Sequence, residues 1–316
     1  MTGVWVYSER EELALELLGK ASELAGKLGV EVAAVALGSG VEAVAQGLSK
    51  AADRVYVVDA PQLGWFEAGV YAHVLSQLAR RYEPDIILIG STKRGKEVAA
   101  RLATRLRVGC IPDCLRVDVD GEGRLVADRL VYGGRAVSTQ VCRSKPAVAT
   151  IPPRTFERAE ETRAGEIVKV DVEVGEPAVS LVETRMKEAP EVNIEEADVV
   201  VCGGRGIEKK EDLRMLEELA EALGGVVGVT RPLAEDRGWF TEWVGLSGRK
   251  VKPTLYIGVG VSGAIQHVAG IRDSKVIVAV NKDPEAPIFQ VADYIVVGDL
   301  YEIIPALIEA VKKGGG

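Results

Sequence analysis

The chain has 316 residues, about twice the usual single-domain length, which leaves room for two domains with separate cores and excludes a small stapled scaffold. Its formal charge of −8, from 39 basic and 47 acidic residues, argues against a broad basic face for nucleic acid or anionic membrane, so any anionic ligand has to be held locally. Apolar runs such as 86–89 and 276–280 fall far short of the roughly 20 residues of a membrane span. The N-terminus lacks the pattern of a signal peptide, so a cytoplasmic chain with no direct membrane insertion is expected.

Short β-branched runs alternate with helical stretches through the first hundred residues. VWVY (4–7), VEVAAVAL (30–37), RVYVVD (54–59) and DIILIG (85–90) read as strands, with helices near 9–28, 40–50, 66–81 and 95–107 between and after them. Continuous apolar strands of this kind belong to a parallel sheet covered on both faces. From about 110 the segments RLVADRLVYGG, RAVSTQVCRS and PAVATIP follow one another without helices, and predict an antiparallel appendage. A charged stretch near 157–191, with VKVDVEV inside it, separates this half from a second α/β pattern: VVVC, then a helix closing on Gly224–Gly225, VVGVT, LYIGVG, a short AIQHVAG helix, KVIVAVN, YIVVG and a terminal helix. The expected fold is α/β with two domains, 1–185 and 186–316. Each is a doubly wound, mostly parallel sheet, the first with the β appendage and the second Rossmann-like.

The cysteines Cys110, Cys114, Cys142 and Cys202 are too few and scattered for a disulfide framework, and no histidine stands at ligand spacing from them, so no metal is expected. Two Asn, six Gln and three Met beside abundant Glu, Lys and Arg suit life at high temperature.

Two Gly-rich turns follow strands of the second half: Gly203-Gly204-Arg205-Gly206, and Gly258-Val259-Gly260-Val261-Ser262-Gly263-Ala264. Both fall where ligands bind in open α/β sheets, and glycine lets backbone N–H groups approach a phosphate closely, although tight turns alone also call for glycine. The second turn matches the G-x-G-x-x-G/A dinucleotide pattern of a nicotinamide-dependent dehydrogenase. Against that reading, the helix after it is short and the next strand ends in Asn281, where a ribose-binding acid would stand. A regulatory nucleotide-binding protein is a further alternative.

The run LYIGVGVSGAIQHVAGIRDSKVIVAVNKDPEAPIFQVADYIVVGDL (255–300) closely resembles the signature of the α subunit of electron transfer flavoproteins, with VCGGRGI, VGVTRPLAEDRGW and VGLSGRKVKP preceding it in that family's order. STKRGKEVAARLATRL in the first half is similar more loosely. The resemblance implies FAD on the C-terminal domain, an N-terminal domain that docks a β subunit in a heterodimer, and single-electron shuttling. The donor would be an acyl-CoA or other dehydrogenase. The acceptor would be a quinone-linked flavoprotein oxidoreductase or an NADH/ferredoxin system, with electron bifurcation and fatty acid oxidation as settings. No acid–base pair or activated nucleophile stands out, in keeping with an electron carrier.

By that resemblance Arg231 lies against the flavin and His267 near its pyrimidine carbonyl, supplying positive charge or a donor. Ser247 offers a hydroxyl to the central-ring nitrogen, beside Val244 and Gly245. Gly260, Ser262, Gly263, Ala264, Ile265 and Gln266 match the segment around the diphosphate and ribityl chain, with Arg205 and Thr230 as further contacts. Asn281, Asp299 and Leu300 match the adenosine end. Trp239, Phe240 and Trp243 are expected to pack rather than cage the flavin. Lys93, Arg94 and Lys96 open a helix, where cations oppose the dipole, and suit either subunit contact, anion binding or a solvated turn.

Overall fold

A computed structural model describes residues 3–184 and 193–314. The chain divides into two compact units, Met1–Thr184 and Arg185–Gly316. The boundary expected at 185–186, and most of the MKEAPEVNIEEA segment after it, lie outside the described residues.

In the first unit, strands β1 (Gly3–Tyr7), β2 (Glu31–Gly38), β3 (Arg54–Asp59) and β4 (Ile86–Gly90) alternate with helices α1 (Glu11–Leu28), α2 (Glu42–Ser49), α3 (Ala68–Tyr82) and α4 (Lys93–Leu106). Helix α1 buries Leu13, Leu17, Leu18, Ala21, Leu24 and Ala25, an i, i+4, i+7 stripe that stabilises the unit by roughly 1.5–3 kcal/mol per leucine. It stops at Gly29, whose φ of 68° is the left-handed conformation open to glycine. Period-two alternation sends Val4 and Val6 to the face under α1 and α2, and Trp5 and Tyr7 to the face under α3 and α4.

Strands β5 (Cys110–Ile111), β6 (Cys114–Val119), β7 (Leu125–Val131), β8 (Ala136–Val141), β9 (Ala147–Ile151) and β10 (Glu166–Lys169) complete the unit. Two expectations are corrected. The antiparallel appendage is β6-β7-β8 alone, whereas PAVATIP supplies β9, inserted parallel between β4 and β5. Every residue of β9 is buried, which suits a central strand and not the half-exposed pleat of an appendage. The VKVDVEV region supplies β10, which pairs parallel with β3, so the sheet order is β10-β3-β2-β1-β4-β9-β5. The charged stretch is therefore partly an edge strand, and its polar composition fits an edge with one neighbour.

Two of the three cations that open α4, Arg94 and Lys96, have local partners. Thr92 caps the helix by accepting from Gly95 N–H, Lys96 pairs with Asp113 at 2.9 Å, and the Arg94 guanidinium lies 4.9 Å from the Phe66 ring.

The second unit is a five-stranded parallel sheet of β11 (Val199–Gly203), β12 (Val226–Val229), β13 (Leu255–Val259), β14 (Val276–Asn281) and β15 (Tyr294–Val297), in the order β12-β11-β13-β14-β15. Helices α5 (Leu213–Ala222) and α7 (Leu300–Gly314) cover one face with Leu216, Leu219, Ile304 and Ile308. The other face carries Tyr256, Ile271, Ile277 and Ile288, and the single-turn helix α6 (Ile265–Val268) lies at the end of β13. Among the described residues no helix is long and apolar enough to cross a membrane.

Candidate functional site

The strand order places β12 on one side of β11 and β13 on the other, so the loops leaving the C-terminal ends of β11 and β13 part in opposite directions. That divergence is the switch point at which open α/β sheets bind ligands. Here the two Gly-rich turns press together first. Gly204 N–H donates to Val259 O at 2.8 Å and Gly206 N–H to Gly260 O at 3.1 Å, while a Cβ at Gly204 would meet Gly260 O at 2.3 Å. The first turn is thus a seal between loops that engages the N–H groups of Gly204 and Gly206. No helix starts there, since α5 begins ten residues after Gly203.

The second turn is different. Gly260 N–H donates to Val280 O, but the N–H groups of Ser262, Gly263, Ala264, Ile265 and Gln266 have no partner among the described residues. Loop 282–288 props the turn, with Ile288 N–H donating to Ser262 O and the Asn281 side-chain amide donating to Val261 O.

Beside these turns lies a cavity of about 330 Å³, within the range of small-molecule clefts. Its walls include Arg205, Thr230, Arg231, Val244, Gly245, Ser247, Ser262, Ala264, Gln266 and His267, ten of the residues singled out in the sequence. Gly260, Gly263, Ile265, Asn281, Asp299 and Leu300 stand outside it. Asn281 is spent on the turn, accepting from Asp283 N–H as well as holding Val261. Asp299 accepts from Tyr301 N–H at the start of α7, and Leu300 is buried against Gly206 and Gly260. Ile265 is 56% exposed.

Pro232, Leu246 and Val261 also line the cavity and were not singled out, and so does Trp243, which the sequence reading gave to packing alone. Trp243 packs on the α5–α7 core with Trp239 and Phe240 as expected, yet its ring also faces the cavity, with the Arg231 guanidinium 5.8 Å from it and its Nε1–H donating to Ser247 Oγ at 3.4 Å. The signal for this was an aromatic four residues before a cavity hydroxyl, a spacing that only the turn at 243–249 turns into contact. That turn is held by Arg249, which pairs with Glu242 at 2.6 Å and Glu195 at 3.1 Å.

Cations enter the wall in two ways. Arg205 is exposed and has no partner among the described residues, so its charge is available to an anion. Arg231 is exposed but paired with Glu235 across the Pro232–Asp236 turn, which offsets its charge.

His267 lines the cavity with both ring nitrogens engaged by the protein. It is 7% exposed, with Nδ1 3.0 Å from Val244 O and Nε2 2.7 Å from the Tyr256 hydroxyl, and burial pushes its pKa down to about 4. Thr230 Oγ1 is buried with no partner, an orphan of the kind that a ligand satisfies.

Comparison with known proteins then separates the nucleotide readings. Residues 4–174 match the electron transfer flavoprotein domain, and residues 193–272 match the electron transfer flavoprotein FAD-binding domain. The chain belongs to the α-subunit family of electron transfer flavoproteins. It is 44% identical to the electron transfer flavoprotein subunit alpha of Thermoanaerobacterium thermosaccharolyticum, over 98% of each chain. It is 40% identical to protein FixB of Clostridium saccharobutylicum, over 98% of this chain and 96% of the relative. It is also 37% identical to the lactate dehydrogenase (NAD(+),ferredoxin) subunit LctC of Acetobacterium woodii, over 98% of this chain and 77% of the relative. FAD is the cofactor of the family, and electron transfer its activity. The residues fit that cofactor: an orphaned hydroxyl, a run of unpaired N–H groups and one available guanidinium border a largely apolar cleft.

Proposed function

We propose that the switch-point cavity of the second unit holds the flavin of FAD, that the diphosphate follows the 260–266 turn, and that the chain passes electrons as one subunit of a heterodimer with a β subunit. The observation that carries this reading is the convergence on one cleft of ten residues picked from four separate stretches of sequence. Bound there, FAD supplies a group that accepts electrons from one protein and releases them to another.

The chain's own groups bind and tune. N–H groups of Ser262 to Gln266 and the Arg205 guanidinium offset phosphate charge in a unit that is itself acidic. Ser247 Oγ accepts from Trp243, which leaves its O–H to donate into the cavity. Thr230 lines the cavity, and its buried hydroxyl has no partner among the described residues. Trp243, Leu246 and Val261 exclude water, and a drier site strengthens every charge within it. Arg231, offset by Glu235, adds a weakened positive charge that favours the reduced flavin. Asp299 and Leu300, set back from the cavity beside the turn, mark the side on which the adenosine end would run.

The first unit is assigned to β-subunit docking, and the chain to the cytoplasm. Its donor is a dehydrogenase, acyl-CoA-specific or other, and its acceptor a quinone-linked flavoprotein or an NADH/ferredoxin system. A place in an electron-bifurcating complex is the second reading, favoured by the likeness to a subunit of an enzyme named for both NAD(+) and ferredoxin. The test is the absorption spectrum and flavin count of the chain co-expressed with its β subunit. One FAD per heterodimer supports a simple carrier and two support bifurcation, whereas colourless protein that binds NADH overturns the proposal.

A further inference from the structure

Resting on the flavin reading above, we infer that Tyr256 is a positioning residue: it holds His267 neutral, with Nε2 as an acceptor, so that the positive charge of the pocket stays with Arg205 and Arg231.

The direction of each bond follows from chemistry. Val244 O only accepts, so His267 Nδ1, 3.0 Å away, carries a proton and donates. A neutral imidazole then presents a lone pair at Nε2, and the Tyr256 hydroxyl at 2.7 Å donates to it. Behind Tyr256, the Cys202 thiol is buried in the same core cluster. Cys202 and Tyr256 are each 0% exposed, so the hydroxyl that faces His267 Nε2 is closed off from water on its core side.

Sequence spacing makes room for it. Tyr256 and Gly258 point to the same face of β13, and a Cβ at Gly258 would stand 3.1 Å from Tyr256 Cε1 and 3.5 Å from its hydroxyl. The first glycine of the G-x-G-x-x-G/A pattern therefore clears the tyrosine ring.

A proton added to Nε2 would have to turn the tyrosine hydroxyl away and place a buried cation between the Val244 carbonyl and the Tyr256 hydroxyl, neither of which carries a negative charge. The charged groups on the cavity side are Arg205 and Arg231, both of which oppose a further positive charge, and Glu235, which is engaged by Arg231. Without the Tyr256 hydroxyl, the buried lone pair loses its donor and a proton becomes the alternative partner.

The experiment uses the full chain with its β subunit and histidines labelled at Cε1. The α chain has only His73 and His267, and His267→Gln assigns the signal. In the wild type, with and without FAD, His267 is expected in the Nδ1–H tautomer and unprotonated from roughly pH 8 down to pH 5.5. Tyr256→Phe is expected to raise its proton affinity at least about tenfold and to add to the flavin potential, beyond the flavin's own proton uptake, a pH-dependent step in that range that the wild type lacks. The Nε2–H tautomer, titration at an ordinary histidine pH in the wild type, or an unchanged titration in Tyr256→Phe overturns the inference. Should Tyr256→Phe not fold, the wild-type tautomer decides. Flavin content of the same samples separates the two readings: flavin-free protein with a neutral His267 refutes the cofactor site alone, and flavin-loaded protein with an ordinary His267 refutes the role of Tyr256 alone.

Discussion

Adding one methyl group at Gly204 isolates the seal on which the cavity depends. A Cβ there would lie 2.3 Å from Gly260 O and 2.6 Å from Val261 Cα, where ordinary contact begins at 3.4 Å, so the two turns have to part by about 1 Å. The intruding atoms are backbone on both sides, and no rotamer change relieves them. Parting also stretches the bonds from Gly204 N–H to Val259 O and from Gly206 N–H to Gly260 O. Overpacking of about 1–3 kcal/mol plus about 1 kcal/mol for each of the two weakened hydrogen bonds puts the expected loss for Gly204→Ala at about 3–5 kcal/mol. The natural control is Gly26, exposed in α1 with nothing within 4 Å of its Cβ position, where alanine is expected to stabilise by about 0.5–1 kcal/mol through helix propensity. Urea denaturation of the FAD-free chain reads the first effect, and titration with FAD reads the second, an affinity loss of at least tenfold as the 260–266 turn shifts. Gly204→Ala with wild-type stability and FAD affinity would refute the claim that the first Gly-rich turn acts by close packing.

Further expectations concern single groups around the cavity. Thr230→Val removes an orphaned buried hydroxyl, so the FAD-free chain should gain about 1 kcal/mol in denaturation while FAD binding weakens; destabilisation with unchanged affinity would contradict the orphan's role. Because the folded pKa of His267, about 4, lies below the unfolded value near 6.5, the unfolded chain takes the proton first. Stability tied to this residue is therefore complete above about pH 6.5 and falls by up to about 3 kcal/mol as pH drops toward 4. The difference in denaturation free energy between wild type and His267→Gln across that window should show it, and a flat difference would mean His267 is charged when folded. Arg231→Ala should lower the flavin potential by roughly tens of millivolts, reduced by exposure and by Glu235, in a spectroelectrochemical titration; no shift removes Arg231 from the site.

Much of the fold and of the site could be read before any coordinates. The alternation of β-branched runs with amphipathic stretches announces the parallel sheets, and the 255–300 run carries the family and its cofactor, because a flavin site needs glycines, hydroxyls and cations in a fixed chain order. The strand PAVATIP escaped that reading. Its five core residues have no period that tells a buried central strand from an edge hairpin, and only the space between β4 and β5 decides between them. The edge strand β10 escaped for the opposite reason, since its alternating charges look like a linker until β3 offers a partner.

At the site, residue identity settled which groups could take part, and three-dimensional packing settled what each is free to do. His267 looked like a cation because histidine titrates near neutrality, but Tyr256 and Val244 consume both of its nitrogens. Glycines 204, 206 and 258 looked like parts of a phosphate loop, but serve a backbone seam and a tyrosine ring. The opening charge count implied that an anion must be held locally, and most of that charge, a net −6, lies from residue 186 onward. The means proposed for it come from the tertiary structure alone: five N–H groups of one turn without partners among the described residues, and the guanidinium of Arg205, brought together because strand order opens a cleft between β11 and β13. Hydrogen-bond donors are chemically alike along the whole backbone, and which of them stay unpaired is decided by the neighbours that folding supplies.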